Sequence, residues 1–270
     1  MAGYQVSRKI FPGARILGLY VLASVQALTC FGQSSQEIVT DRPDITESSI
    51  VVPPGTLQGE NGVTWTGDHG RRTLDLSESL FRLGVWSRTE FRIELPNYLG
   101  SLGGRGNASG FADMSVGAKY QIGPLPGAID LAVIAGVSFP TGSRGISSHG
   151  FDPFVKFPWS RELKAGWSVG GMQSLFFSTD RGGRNVTWEP TFYLEREITK
   201  HSDAFAEYAA DYPHSGDARQ LIHLGAAYRF TEKQQIDIHF GFGLSHATPE
   251  HFFAAGYSFR IDRLFDAFRK

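Results

Sequence analysis

The sequence predicts an all-β fold, an antiparallel up-and-down transmembrane β-barrel of about twelve strands preceded by a cleaved signal peptide. Three observations lead there. Apolar residues alternate with polar or small ones at period two over most of the chain. The connections between alternating segments are short and long in turn. The composition is rich in Gly and aromatics and poor in Lys. The 270 residues include 32 Gly, about 12% against a usual ~7%. With 21 Phe, 9 Tyr and 5 Trp the chain is no disordered polyelectrolyte. A single cysteine, Cys30, excludes a disulfide scaffold. A formal net charge of -1 gives no support to nucleic-acid binding. The slightly negative mean hydropathy argues against a bundle of membrane helices, but not against spanning strands.

Residues 1–32 read as the signal peptide. Arg8, Lys9 and Arg15 form a positive n-region, and residues 16–31 form an apolar run shorter than the ~20 residues a spanning helix needs. Ala27 and Thr29 stand where a lipoprotein signal places a Leu-like and a small residue, so Cys30 is expected to leave with the signal. Its removal leaves 23 Lys+Arg against 27 Asp+Glu, a net charge of -4, and no cysteine, which suits an oxidising compartment.

Residues 33–56 form a periplasmic lead-in or a plug. The segment is charged, broken by Pro43, and precedes the first strand. As a plug it folds into the lumen, with Arg42, Asp44 and Glu47 as the candidates for bonds to wall charges.

Residues 57–261 form the barrel. Strands are expected near 57–66, 73–85, 89–96, 112–122, 128–139, 151–157, 163–176, 187–197, 203–212, 220–230, 235–244 and 252–261. The clearest is 235–244, where Ile236, Ile238, Phe240, Phe242 and Leu244 alternate with Asp237, His239, Gly241 and Gly243. Successive side chains of a strand point to opposite faces, so this strand is apolar on one face and small or polar on the other. A soluble barrel would turn its polar face to water and fill it with Lys and Glu. The mature chain has six Lys in 238 residues, and Gly, Ser and Ala dominate that face. The expected turns alternate in length. Those of five residues or fewer, such as 86–88 and 123–127, belong at the periplasmic end, and the Gly- and Ser-rich stretches 100–110, 140–150 and 178–185 are expected as long outer loops. Trp65, Trp86, Trp159, Trp188, Tyr120, Phe139, Tyr212 and Phe230 fall near strand ends, where interfacial girdles form.

Charges on the second face should point into the lumen, because an Arg facing lipid at mid-depth costs about 2–4 kcal/mol. The lumen-lining candidates are Glu78, Arg82, Glu90, Arg92, Glu94, Glu189, Glu207, Arg229, Asp237 and Arg260, with Glu195 and Asp211 beside them. The turn at 86–88 makes the strands carrying Glu78 and Arg82 and carrying Glu90, Arg92 and Glu94 neighbours, so opposite charges are expected to pair across them. They read as an ion-pair network that stiffens the wall and as a lining that selects solutes.

Other motifs carry less. Gly166-Trp167-Ser168-Val169-Gly170 matches a nucleophile elbow, which requires a strand-to-helix turn, whereas it sits in a strand pattern. Gly104-Arg105-Gly106 lacks the third glycine and the helix of a dinucleotide fingerprint. The eight His show no metal spacing. His223 and His239, on inward faces of neighbouring strands, read as separate lumen residues.

The run Thr40-Asp41-Arg42-Pro43-Asp44-Ile45-Thr46-Glu47-Ser48 resembles the N-terminal signature of the family named for the MetA pathway of phenol degradation. The resemblance continues through Val52-Pro53-Pro54-Gly55, Glu78 to Val85, Glu90 to Leu95 and Ser138 to Gly142. It closes with Gly241 to Leu244 and Pro249 to Arg260. It implies an outer-membrane barrel that passes small molecules, hydrophobic or aromatic ones among them, with no catalytic residue, metal or cofactor to carry over. Its implied partners are outer-membrane lipid, a small-molecule solute and the outer-membrane assembly machinery, with no nucleic acid. Such barrels commonly finish on an aromatic residue. Here residues 262–270 add a short tail, and Ile261, Leu264, Phe265 and Phe268 make an amphipathic stripe. The expected function is a pore or transporter with a narrow charged lumen, since about twelve strands lie between filled ~8-stranded barrels and open ~16-stranded porins. The alternatives are a barrel enzyme acting as a lipid or ester hydrolase, and a structural or adhesive barrel working through its long loops.

Overall fold

The computed structural model describes residues 37–102, 109–180 and 182–264. The signal peptide with Cys30, the Gly104-Arg105-Gly106 stretch, and Phe265 and Phe268 of the tail lie outside the described residues.

Twelve antiparallel strands form a closed ring. β1 is Leu57–Asp68. β2, β3 and β4 each run in two pieces: Arg71–Leu76 with Ser79–Trp86, Thr89–Leu95 with Tyr98–Ser101, and Gly110–Phe111 with Met114–Gln121. β5 is Asp130–Phe139, β6 Asp152–Glu162, β7 Trp167–Asp180, β8 Gly183–Thr199, β9 Ser202–Pro213, β10 Arg219–Thr231, β11 Gln234–Gly243 and β12 His251–Ile261. Each strand pairs with its successor, and β12 returns to β1 from Gly67↔His251 to Leu57↔Ile261. Closure leaves no edge, so every wall strand has two partners, as a lipid surround requires.

Alternation sets which way each side chain points. On β11, Ile236, Ile238, Phe240 and Phe242 are 43–55% exposed, while Gln235 and Asp237 are 2% exposed and His239 8%. The same inversion runs round the ring. Phe91, Ile93, Phe192, Leu194, Ile222, Leu224 and Phe253 face outward, whereas Glu60, Arg82, Glu90, Lys119, Glu207 and His223 are fully buried. An apolar exterior over a charged interior is the pattern of a barrel solvated by lipid. Trp86, Tyr120 and Tyr228 are exposed at the end with the shorter turns, and Trp188 stacks on Tyr212 at the other end, with ring centroids 5.4 Å apart.

The interruptions in β2–β4 have local causes. β1 pairs Val63↔Leu76 and then Glu60↔Leu80, so β2 carries one extra residue, a bulge in which Ser77 has φ 60°. In β3 the break falls at Pro96, which has no N–H to donate. Pro158 and Pro190 are tolerated inside β6 and β8 in the same way. The ladders beside them skip, β5–β6 between Leu131↔Trp159 and Ile134↔Lys156 and β8–β9 between Trp188↔Tyr212 and Thr191↔Ala209.

Residues 178–185, expected as a long loop, are a hairpin instead. β7 and β8 stay paired to Asp180↔Gly183, with Gly182 turning at φ 80°. The 17 residues of β8 exceed the ~9–11 that cross a membrane, so its outer part is a strand in water, where polar residues carry no penalty. Likewise β6 continues to Glu162 instead of ending near 157.

Candidate functional site

Residues 37–56 run inside the ring as an out-and-back loop. The loop enters at the end of the shorter turns, where Ile38 N donates to Glu232 O at 2.9 Å. It leaves at the same end, where Gly55 N donates to Gly84 O at 2.8 Å. Among the described residues the segment bonds to ten of the twelve strands, all but β5 and β7, with Glu37 supplying the bonds to β10 and β12. Gly84 is required by this path, because a Cβ there would stand 2.0 Å from the Pro53 carbonyl oxygen.

One wall of the interior is basic. Register places Arg82 of β2 directly opposite Arg92 of β3, a like-charge pairing that destabilises an isolated ladder. Carboxylates relieve it from both sides. Arg82 donates to Glu90 at 2.9 Å and to Glu60 at 3.0 Å, and lies 3.3 Å from Asp41. Arg92 bridges the segment, with one Nη on Asp41 and the other on Glu47. Lys119 donates to Asp41 at 2.9 Å and to the Ser48 carbonyl at 2.7 Å. Lys156 pairs with Glu47 and stands over the rings of Phe154 and Phe176. Glu60 and Glu90 pair with Arg82 and Arg92 from within the wall, and Asp41 and Glu47 of the segment supply the direct carboxylate partners of Arg92, Lys119 and Lys156. Burial alone would raise the Asp41 carboxyl, but Arg82, Lys119 and Arg92 outweigh it and hold it well below the usual carboxylate range. Glu47 is lowered against burial by Arg92 and Lys156.

The opposite wall is acidic. Glu207 of β9 accepts from Ile45 N and Thr46 N, each at 2.8 Å, from the Thr46 hydroxyl, and from His223 Nε2 at 2.5 Å. Thr46 also meets the Thr191 hydroxyl. Asp44 enters this region, and none of the described cations forms an ion pair with it. Burial and the charges of Glu207, Glu195, Asp203 and Asp237 push its carboxyl well above the ordinary value.

Arg42 occupies a third site. Its guanidinium bonds Glu78 at 2.8 Å and Asp237 at 3.3 Å. The cradle is glycine: Gly62 and Gly256 face each other across the β1–β12 ladder, and a Cβ on either would come within 2.3–2.4 Å of the guanidinium group. A cavity of about 220 Å³ opens beside it, lined by Arg42, Glu60, Glu78, Glu94 and Asn97 among others.

The remaining sequence candidates are placed as follows. Glu94 accepts from Ser115 at 2.7 Å. Glu189 faces Lys156 and Asp211. Arg229 pairs with Asp203 at 2.5 Å and Glu37 at 3.4 Å. Arg260 bonds Asp262 at 2.9 Å and the Glu37 carbonyl at 3.2 Å. Asp41, Glu60, Lys119, Lys156 and Thr46 were not among the candidates, although Lys119 lies on the polar face of its strand. His223 and His239 are not separate: their rings lie 5.6 Å apart, both against Phe252. Ser168 lies within β7, opposite Glu195 and Glu162, and its hydroxyl contacts Glu195 at 3.3 Å, so the elbow motif is a strand.

Residues 40–261 match the family named for a MetA pathway of phenol degradation. No curated protein sequence matches the chain. Among solved structures, the COG4313 outer membrane channel from Pseudomonas putida F1 superposes with a TM-score of 0.66 at 12% identity, covering 81% of this chain and 99% of that one. The NanC porin gives 0.54 at 12% identity, covering 76% and 100%. The KdgM porin in complex with disordered oligogalacturonate gives 0.52 at 8% identity, covering 76% and 98%. At these identities the likeness is one of fold. The match over residues 40–261 shows that the chain belongs to the phenol-degradation MetA-pathway family, and its twelve-stranded barrel shares its fold with outer membrane channels and porins.

Proposed function

We propose that the protein is a narrow outer-membrane pore for small polar solutes, closed by its own residues 37–56. The observation that carries this reading is the segment's course through the interior, bonded on nearly every side and anchored at one end of the barrel. A solute crossing the lumen meets the same groups, so passage requires the segment to shift. Polar solutes fit better than the hydrophobic ones that the family resemblance implies. An apolar molecule drawn past Arg82, Arg92 and Lys119 would leave buried charges without partners, at several kcal/mol.

Planar-bilayer conductance and solute uptake into proteoliposomes test the reading. Deleting residues 40–48 is expected to raise both. Cysteines replacing Ser49 and Ser160, whose hydroxyl oxygens are 2.8 Å apart, are expected to lock the segment when oxidised and to silence conductance until reduced. Equal conductance of the locked and reduced forms overturns the closure. Absence of conductance and uptake in every form overturns the pore.

A further inference from the structure

We propose that the basic wall formed by Arg82, Arg92, Lys119 and Lys156 is a binding site for small dicarboxylates, occupied in the closed state by the protein's own Asp41 and Glu47. This rests on the pore reading and names its solute class.

The argument begins from charge. Glu60 and Glu90 neutralise two of the four cations within the wall. Asp41 and Glu47 neutralise the other two, and both belong to a loop outside the wall. Withdrawing the loop takes the paired carboxylates from Arg92, Lys119 and Lys156, leaving Lys156 only the more distant Glu94 and Glu189, an expensive state for side chains nearly or wholly buried unless an anion replaces what is lost. A ligand that binds only the vacated wall therefore favours the open form by its full binding free energy.

Geometry narrows the ligand. The two segment carboxylates do not occupy independent sites. One guanidinium spans them, Arg92 with Nη1 on Asp41 and Nη2 on Glu47. Lys119 holds the Asp41 end and Lys156 the Glu47 end. A solute matching this arrangement has two carboxylates separated by a short spacer, each meeting Arg92 and one lysine. Charge-assisted bonds of this kind are the strong ones in a lumen shielded from bulk water. The facing wall sets the limit of one ligand: Glu195 and Glu207 project from β8 and β9 and repel a second anion.

The test uses the full chain in liposomes at low salt, with succinate as the dicarboxylate and erythritol as a neutral solute of similar size. A Ser48→Cys variant reports displacement of the loop through its labelling by a thiol reagent, with the unsubstituted protein as background. Succinate is expected to speed that labelling and to enter liposomes several-fold faster than erythritol. Lys156→Gln removes a partner that Glu47 and the solute share, so it is expected to raise the labelling seen without succinate and to shrink the further rise that succinate brings. The Ser48→Cys measurement stands even if the lysine variant fails to fold. Equal entry of the two solutes with labelling indifferent to succinate overturns the dicarboxylate site and leaves the pore standing. Succinate-driven labelling without passage of either solute supports the site and overturns the pore.

Discussion

The two walls of the lumen bury carboxylates equally deeply and satisfy them differently. Beside β2–β4 and β6, Asp41 and Glu47 are met by cations, and the wall and the segment form one interlocked ion network. Beside β8 and β9, Glu207 is met chiefly by neutral donors, two backbone N–H groups and a hydroxyl, with His223 behind them. The first arrangement is strong but costly to open, since each partner left behind is a buried charge. The second fixes the loop's direction and gives up only ordinary hydrogen bonds when broken. The segment thus has one firm side and one yielding side, and Asp44 sits on the yielding one.

The largest effect is expected at the centre of the firm side. Arg92→Met removes the cation that Asp41 and Glu47 share, leaving Asp41 to Lys119 and Arg82 and Glu47 to Lys156, and should weaken the docked segment by about 3 kcal/mol, read as protease sensitivity at residues 40–48 and as raised conductance. Next comes the Arg42 cradle. Gly256→Ala puts a methyl group 2.4 Å from the Arg42 guanidinium and should cost about 1–3 kcal/mol, read in a urea midpoint of the folded barrel. On the yielding side, Glu207→Gln should cost about 1–3 kcal/mol, and hydrogen exchange at Ile45 and Thr46 should accelerate while that at Ser48 changes little. Uniform acceleration along the loop would erase the distinction between the walls.

The smallest effect has a sign that separates the walls by pH. Asp44 has a raised pKa when docked, so docking takes up a proton and weakens as pH rises through that raised value. Asp41 and Glu47 have lowered values, so their contribution is complete above the ordinary carboxylate range and is lost only as pH falls below it. Conductance should therefore decrease on acidification through the raised value of Asp44, then rise again in acid below the ordinary carboxylate range. Asp44→Asn should abolish the first phase and keep the second. A variant that keeps both phases assigns the titration to another group.

The barrel was legible because lipid outside and charge inside enforce strict alternation. On β11 and β12 the side of every residue follows from its parity. Strand length was less legible where the chain leaves the membrane. Residues 178–185 look like a loop because composition reports solvent, and a ladder continued into water has the composition of one. The site was legible in part. Arg82, Glu90 and Arg92 could be read as neighbours across a short turn, but which charges pair depended on a partner that no strand supplies. Asp41 and Lys119 are 78 positions apart, and nothing local joins them. Lys156 was hidden for a second reason, since Pro153 and Pro158 around it weaken the strand signal.

The Arg42 cradle has a consequence for assembly. Its parts come from both ends of the barrel sequence: Gly62 and Glu78 from β1 and the bulge of β2, Asp237 and Gly256 from β11 and β12. Before the first and last strands meet, the cradle does not exist. Arg42 therefore senses circular completeness, and its seating fastens the seam where the ring closes. The contact that holds residues 37–56 in the lumen thus also ties the first strands of the barrel to the last.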